Sequence, residues 1–321
     1  MKILVTGAAG FIGSHSSFAL ADRGHEILGV DNLNDYYDPA LKEARLARLS
    51  GQDRFSFEAL DVADDAALGA LTARFAPDRI LHLAAQAGVR YSIENPMVYA
   101  RSNLMGHLSV LEAARHTPSV KHLAYASSSS VYGERTDAPF KETDAVESPV
   151  SLYAATKRAD ELMSATYCRL YGLAQTGLRF FTVYGPWGRP DMAYWLFTKA
   201  ILAGEPIKVF NNGDMQRDFT YVDDVIRTVV KIVETGADAA THKIYNIGGS
   251  DPRPLKDFIA AIETALGQTA EKIMLPMQKG DVTCTSADVS ALARDYDYAA
   301  TTRMEDGVQA FVDWYRDYFK V

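Results

Sequence analysis

An α/β fold, a doubly wound parallel sheet with a smaller interleaved α/β substrate-binding domain, follows from three observations on this chain. Short β-branched apolar runs alternate with helix-length segments through the first half. A glycine-rich turn joins the first such run to the first helix. Several runs end on small or acidic residues, the composition expected where a parallel sheet opens a ligand crevice.

The first run, Lys2-Ile3-Leu4-Val5-Thr6, reads as a buried parallel strand. It leads into Gly7-Ala8-Ala9-Gly10-Phe11-Ile12-Gly13 and a helical stretch over 14–23, and a second apolar run, 26–30, ends at Asp31. Strand, glycine turn, helix, strand and acid make a Rossmann-type dinucleotide unit. The first glycine permits the turn, the second lets backbone approach a pyrophosphate, and the third lets helix and strand pack closely. Asp31 stands where a carboxylate would hold adenosine ribose hydroxyls and repel a 2′-phosphate, so NAD is expected over NADP.

Further strands are predicted at 55–60, ending at Asp61, and at 79–83, opening into Ala84-Ala85-Gln86. Helices are predicted over 64–75 and 103–116. A strand over 121–126 delivers the run Ser127-Ser128-Ser129-Ser130 at its C-terminal end. The glycine turn, Asp61, the 84–86 segment and the serines are therefore expected to line one crevice. A helix after Pro149 runs to about residue 171 and carries Tyr153 and Lys157, one turn apart on one face. A free phenol titrates near ~10, so a neutral-pH base needs roughly three units of lowering, about 4 kcal/mol, which a lysine ammonium is suited to supply. A strand over 177–183 empties into 184–190, and helices near 194–204, 222–235, 255–266 and 305–319 alternate with short strands. The division expected is a nucleotide-binding domain over 1–180 and a substrate domain mainly over 181–321, with some interleaving.

The chain has 321 residues, 48% of them apolar, enough for a substantial core. A formal net charge of −8 argues against nucleic acid or an anionic membrane surface as partner. The two cysteines, Cys168 and Cys284, make no disulfide framework and are expected to be buried. The first strand begins at residue 2 and no run of 18 apolar residues occurs, which predicts a cytoplasmic protein without signal peptide or membrane span. The seven histidines show no metal-ligand spacing, so no metal is expected.

With the glycine turn, serine run and Tyr-x-x-x-Lys in chain order, the sequence resembles the extended short-chain dehydrogenase/reductases over essentially its whole length. Within them it is most similar to the nucleotide-sugar 4-epimerases, and most specifically to UDP-glucuronate 4-epimerases. The segments that carry this are Asp31-Asn32-Leu33-Asn34-Asp35-Tyr36-Tyr37-Asp38, His82-Leu83-Ala84-Ala85-Gln86-Ala87-Gly88-Val89-Arg90-Tyr91-Ser92 and Gly185-Pro186-Trp187-Gly188-Arg189-Pro190-Asp191-Met192. The resemblance implies Tyr153, Lys157 and Ser128 as catalytic residues. It implies NAD contacts from Gly7, Gly10, Phe11, Ile12 and Gly13, from Asp31, Asn32, Asp61 and Val62, from Leu83, Ala84, Ala85 and Gln86, and from Tyr153, Lys157 and Phe180. It places Ser128, Ser129, Arg90, Thr182 and Arg189 on the sugar side of a UDP-sugar, and Lys208, Val209, Arg217 and Asp281 among the remaining substrate contacts. Gln278 stands where galactose-type epimerases carry a phosphate-binding arginine, which weakens a plain UDP-galactose assignment. A homodimer packed through the Tyr153 helix is also implied.

The reaction implied is reversible oxidation at C4 of UDP-glucuronate, giving UDP-galacturonate. Its 4-keto intermediate is a β-keto acid, prone to lose CO₂, so the carboxylate must be gripped; a planar arginine fork does this best, and Arg189 with Thr182 is the candidate, ahead of Arg90. The alternatives on this scaffold are a UDP-glucose or UDP-N-acetylglucosamine 4-epimerase and a UDP-glucuronate decarboxylase.

Overall fold

β1 (Lys2–Thr6), β2 (Glu26–Asp31), β3 (Phe55–Ala59), β4 (Arg79–His82), β5 (His122–Ser128) and β6 (Gln175–Phe180) alternate with helices, as the apolar runs predict. β7 (Thr182–Tyr184), β8 (Ile207–Phe210), β9 (Gln216–Tyr221), β10 (His242–Ile247), β11 (Pro252–Pro254) and β12 (Lys272–Leu275) follow in this computed structural model, which describes residues 1–278 and 280–321. The main sheet has the order β10-β6-β5-β4-β1-β2-β3, and its strands from β3 to β5 pair in parallel. The chain steps outward from β1 to β3 and then returns to β4 on the other side of β1. That reversal opens a crevice at the C-terminal ends of β1 and β4, the ligand position of doubly wound sheets. The α/β fold class expected from the sequence is the one observed.

Two compact units are found. One comprises 1–133, 146–179 and 226–245; the other comprises 134–145, 180–225 and 246–321. The first unit is held by Leu4, Leu28, Val30, Leu68, Val110 and Leu123, each nearly inaccessible. Burying one such side chain contributes about 1.5–3 kcal/mol. The second unit contains a three-stranded sheet, β11-β9-β7, and the parallel pair β12-β8. Its core is aromatic: the Phe219 and Phe258 rings stack at 3.9 Å, and Phe311 meets Tyr194 edge-on at 4.8 Å.

The sequence reading is corrected at four places. The helix predicted over 103–116 is the last part of a longer helical path: Tyr91–Glu94, Pro96–Tyr99, a π-helical turn at Ala100–Met105, then Gly106–Arg115. Pro96 occupies a first-turn position where a missing N–H costs nothing, so it starts a helix rather than ending one. The strand predicted over 177–183 is two strands in different sheets, interrupted at Phe181, whose N–H donates to the Ile247 carbonyl while its own carbonyl accepts from Val183. The helix Pro39–Leu49 was not anticipated, although Asp38 caps it by accepting from the Ala40 N–H at 2.9 Å and Pro39 opens it. Cys168 is buried as expected; Cys284 is only half-buried, in an extended segment beside β9. Among the described residues no helix is long and apolar enough to cross a membrane.

Candidate active site

In the first unit, the glycine turn leaves β1 at Gly7, whose φ of +72° is a region that side chains disfavour. A Cβ there would lie 2.7 Å from the Ala84 nitrogen, so the turn crosses directly over the end of β4. A Cβ on Gly13 would overlap the Gly7 carbonyl oxygen, which is why the Phe11–Asp22 helix can pack on the turn. Gly10 caps that helix without a side-chain hydrogen bond, and its first turn holds no acidic residue. Its leading N–H groups therefore face the crevice as an anion cradle. Phe11 is buried and Ile12 half-buried behind them.

At the end of β2, Asp31 is buried to 8% exposure and accepts from the Leu33 N–H at 2.9 Å. Lys42, on the Pro39–Leu49 helix, lies 3.7 Å from the same carboxylate and donates to the Asn34 carbonyl at 2.9 Å. Burial pushes the Lys42 ammonium down from its ordinary value, while Asp31 acts against that shift. Sequence reasoning missed this lysine because it lies on the helix that was not anticipated. Asn32 is exposed and binds Asn34. Asp61 accepts from the Ala63 N–H and pairs with Arg101 at 3.2 Å, next to a buried Val62.

Leu83 and Ala84 hydrogen-bond back to Thr6, which fixes the 83–86 segment against β1. Asn103 holds the other end of that segment. Its Oδ1 accepts from the Gln86 N–H at 2.8 Å, and its Nδ2 donates to the Gln86 carbonyl at 3.1 Å and to Thr156 Oγ1 at 2.9 Å. Asn103 sits in the π-helical turn, a widened backbone often found at functional sites. The spacing of residues gave no sign of it. Arg90 is exposed at the start of the Tyr91–Glu94 helix.

The Leu152–Tyr171 helix starts at a Ser151 cap and packs against β5 and the Ser129–Tyr132 turn. Tyr153 is half-buried, with the Tyr99 ring edge-on at 6.1 Å. Lys157 is 3% exposed and donates to the Ala126 carbonyl at 3.1 Å and to Asp160 at 3.0 Å. The helix is thereby tied to the strand that ends in the serines. Ser128 accepts from the Ser130 N–H at 3.2 Å and lies at the strand end. Ser129 and Ser130 follow in the turn, half-buried. Ser127 is committed elsewhere, donating to Glu161 at 2.7 Å. Glu161 also receives Arg179 through two bonds of 2.8 and 2.9 Å, and Arg179 reaches Tyr132. Beneath the serines therefore lies a buried, ion-paired platform that the sequence did not announce. The first unit thus brings together Tyr153, Lys157, the serines, the glycine turn and the 83–86 segment.

The second unit carries the other sequence-predicted residues. Thr182 opens β7, and Phe180 ends β6 in a buried position. Arg189 forks onto Asp191 with bonds of 3.0 and 2.6 Å. Arg217, on β9, donates to Asp281 at 2.7 Å and to the Val282 and Thr283 carbonyls, so it clasps the 281–283 loop. On β8, Lys208 is exposed, whereas Val209 is buried and its side chain belongs to the core. The Gln278 amide oxygen is buried without a hydrogen-bond partner among the described residues.

Comparison with known proteins agrees with this geometry. The model of the family described as "NAD dependent epimerase/dehydratase family" matches residues 3–248. The chain is 49% identical to Protein CapI of Staphylococcus aureus over 100% of both chains. It is 44% identical to UDP-glucuronate 4-epimerase 4 of Arabidopsis thaliana, over 99% of this chain and 76% of that one. The crystal structure of UDP-glucuronic acid 4-epimerase from Bacillus cereus, in complex with UDP-glucuronic acid and NAD, superposes with a TM-score of 0.93 at 34% identity, covering 99% of this chain and all of that one. The match spans the glycine cradle, the serine-bearing strand and the Tyr153 helix alike, and the chain belongs to the NAD-dependent epimerase/dehydratase family.

Proposed function

We propose that this protein interconverts UDP-glucuronate and UDP-galacturonate by oxidation and re-reduction at C4. The observation that carries the reading is the first unit's arrangement: a Tyr-x-x-x-Lys helix tied through Lys157 to the serine-ending strand, in a chain 44–45% identical, over 99–100% of its own length, to two UDP-glucuronate 4-epimerases of Arabidopsis thaliana. The glycine cradle fits a dinucleotide, because side chains at Gly7 or Gly13 would collide with the backbone at Ala84 or Gly7 and break the close turn-to-helix packing that presents the helix N-terminus to a pyrophosphate. Bound NAD supplies a site that takes hydride from the sugar C4 and returns it.

The residues of the chain do the rest. Tyr153 takes the C4 hydroxyl proton as the hydride leaves and gives it back after the ketone has presented its other face. Ser128 donates a hydrogen bond to the same oxygen. Lys157 holds the nicotinamide ribose, and its positive charge favours the ionised tyrosine. Asp31 and Asn32 hold the adenosine ribose, and Asp61, Val62 and the 83–86 segment line the cofactor's path. The first unit is the cofactor-binding part of this reading and the second unit the UDP-sugar part. In the second unit, Arg217 meets the diphosphate, presented by the Asp281 loop, with Lys208 and the Val209 backbone alongside. Arg189 and Thr182 grip the sugar carboxylate and keep it from the orientation that releases CO₂. For this, Asp191 must share or yield the Arg189 fork.

The working assembly is a homodimer in the cytoplasm. Supporting the dimer, the Tyr153 helix leaves Leu162 and Leu170 exposed, and the neighbouring helical path leaves Met97 and Met105 exposed. The deciding experiment incubates purified protein with UDP-glucuronate and resolves the nucleotide sugars formed. UDP-galacturonate supports the reading. A UDP-pentose with CO₂ makes the protein a decarboxylase, and turnover of UDP-glucose alone refutes the carboxylate argument.

A further inference from the structure

Lys157 does not sit in its site unaccompanied. Its ammonium has three N–H bonds. One is given to the Ala126 carbonyl and a second to the Asp160 carboxylate at 3.0 Å, with the two side chains only 3% and 1% exposed. Asp160 follows Lys157 by three residues, so both lie on the buried side of one helix turn. Its other oxygen, Oδ1, is buried with no hydrogen-bond partner among the described residues. A carboxylate left half-satisfied in the interior is costly, and a structural counter-ion would satisfy both oxygens. Here Lys157 is the main group holding it ionised.

The groups around this pair leave it electrically simple. On the same helix, Glu161 is matched by Arg179 from β6. From β5, Tyr125 faces Asp160 and Glu161, and burial pushes its phenol up, so it stays neutral. His242 of β10 caps that phenol at 2.8 Å and is itself pushed down by burial. His107, from the Gly106–Arg115 helix, meets the Asp160 backbone and bonds Ser164; burial holds it far below its usual value. His82 of β4, behind it, is lowered to about 3 for the same reason. At neutral pH all three histidines are uncharged, and Asp160 is the carboxylate paired with Lys157.

We propose that Asp160 is a positioning residue for the epimerase reaction, whose carboxylate anchors the Lys157 ammonium beside the serine-ending strand and offsets part of the positive charge that Lys157 presents to Tyr153. This rests on the Tyr153–Lys157 mechanism given above. The anchor leaves one ammonium N–H for a ligand, and the offset sets the pH at which the tyrosine becomes a competent base. Asp160 lies seven positions along the helix from Tyr153, a rise of about 10 Å, and at an effective dielectric of about 20 one charge at that distance moves a titration by about one pH unit. Burial raises the Asp160 carboxyl to about 6, so the offset operates above that pH and fades below it.

The test replaces the charge and keeps the shape. Turnover of UDP-glucuronate by the wild-type holoenzyme is measured first; its absence overturns the reaction assigned above, not the anchor. The midpoint of the acid limb of kcat is then compared between wild type and Asp160→Asn. Independently of turnover, phenolate absorbance is titrated in each background as the difference between the Tyr153 and Tyr153→Phe proteins. Both midpoints are expected to fall by about one pH unit in Asp160→Asn. Unchanged midpoints, with only stability or the level of kcat altered, assign Asp160 a structural part and overturn the proposal. Should Asp160→Asn fail to fold, Asp160→Ser, which removes the same charge with less bulk, is read in the same way.

Discussion

Replacing Glu161 by Gln removes one charge from the platform beneath the serines and leaves its shape. In the folded protein Oε1 of Glu161 accepts from Ser127 at 2.7 Å and from Arg179 Nε at 2.8 Å, and Oε2 accepts from Arg179 at 2.9 Å and from Arg158 at 3.1 Å. Burial by itself would raise this carboxyl, but the hydrogen bonds and charge of Arg179, with the hydrogen bonds of Ser127 and Arg158, together hold the carboxyl below its usual range. Glutamine offers one acceptor oxygen in place of two, and its amide nitrogen points N–H bonds at donors. Arg179, with its side chain 2% exposed, then loses the carboxylate that accepts two of its hydrogen bonds. Breaking a buried pair from one side costs about 3–5 kcal/mol. Urea unfolding of Glu161→Gln, Arg179→Met and the double variant gives the loss and the coupling. The double variant is expected to be more stable than Glu161→Gln, because it removes the buried guanidinium charge along with the carboxylate that offset it. A loss below about 1 kcal/mol in Glu161→Gln, a size ordinary for an exposed pair, would falsify the claim that this pair is a closed, desolvated unit. The sign with pH follows from the same shift: a carboxyl lowered on folding contributes stability above its unfolded value, and this is lost as pH falls through its folded one.

Tyr153→Phe is expected to cut turnover by about 10²- to 10⁴-fold while bound NAD, read by its absorbance after denaturation, stays stoichiometric; loss of the NAD would mark the residue as structural. Gly13→Ala should abolish NAD retention and cost about 1–3 kcal/mol, since the new methyl meets the Gly7 carbonyl, a backbone atom that cannot swing away; calorimetric titration with NAD checks it, and unchanged affinity refutes the cradle. Arg189→Lys keeps the charge and loses the planar fork, so the fraction of UDP-pentose among the products should rise, as seen by chromatography of the nucleotide sugars. His82, buried and lowered to about 3, binds a proton more readily when unfolded, so stability should rise with pH between about 3 and 6.5; His82→Gln should reduce that slope by about 1.4 kcal/mol per pH unit in urea unfolding series.

The sequence by itself determined the alternation of strand and helix, the glycine turn with its acid, and the order of serines, tyrosine and lysine. These are local patterns: a turn that only glycine tolerates, a two-residue or 3.6-residue period, and a spacing of four along one helix. The long loop strings at 31–38, 82–92 and 185–192 pointed to the family for the same reason, since each is contiguous. Tertiary structure alone decided what those groups touch. Asn103 looked like an ordinary start of a helix until the π-helical turn set its amide across Gln86 and Thr156. The break at Phe181 was hidden in an unbroken apolar run, because sheet membership depends on which partner strand is available, and β9 lies far along the chain. Arg189 read as a planar fork for a sugar carboxylate, and the fold sets it on Asp191. Lys157 and Asp160 were adjacent on paper, yet their burial is what makes the pair consequential. Charge is printed in the sequence, but its strength depends on the water excluded around it, and that exclusion comes from the packing of distant segments.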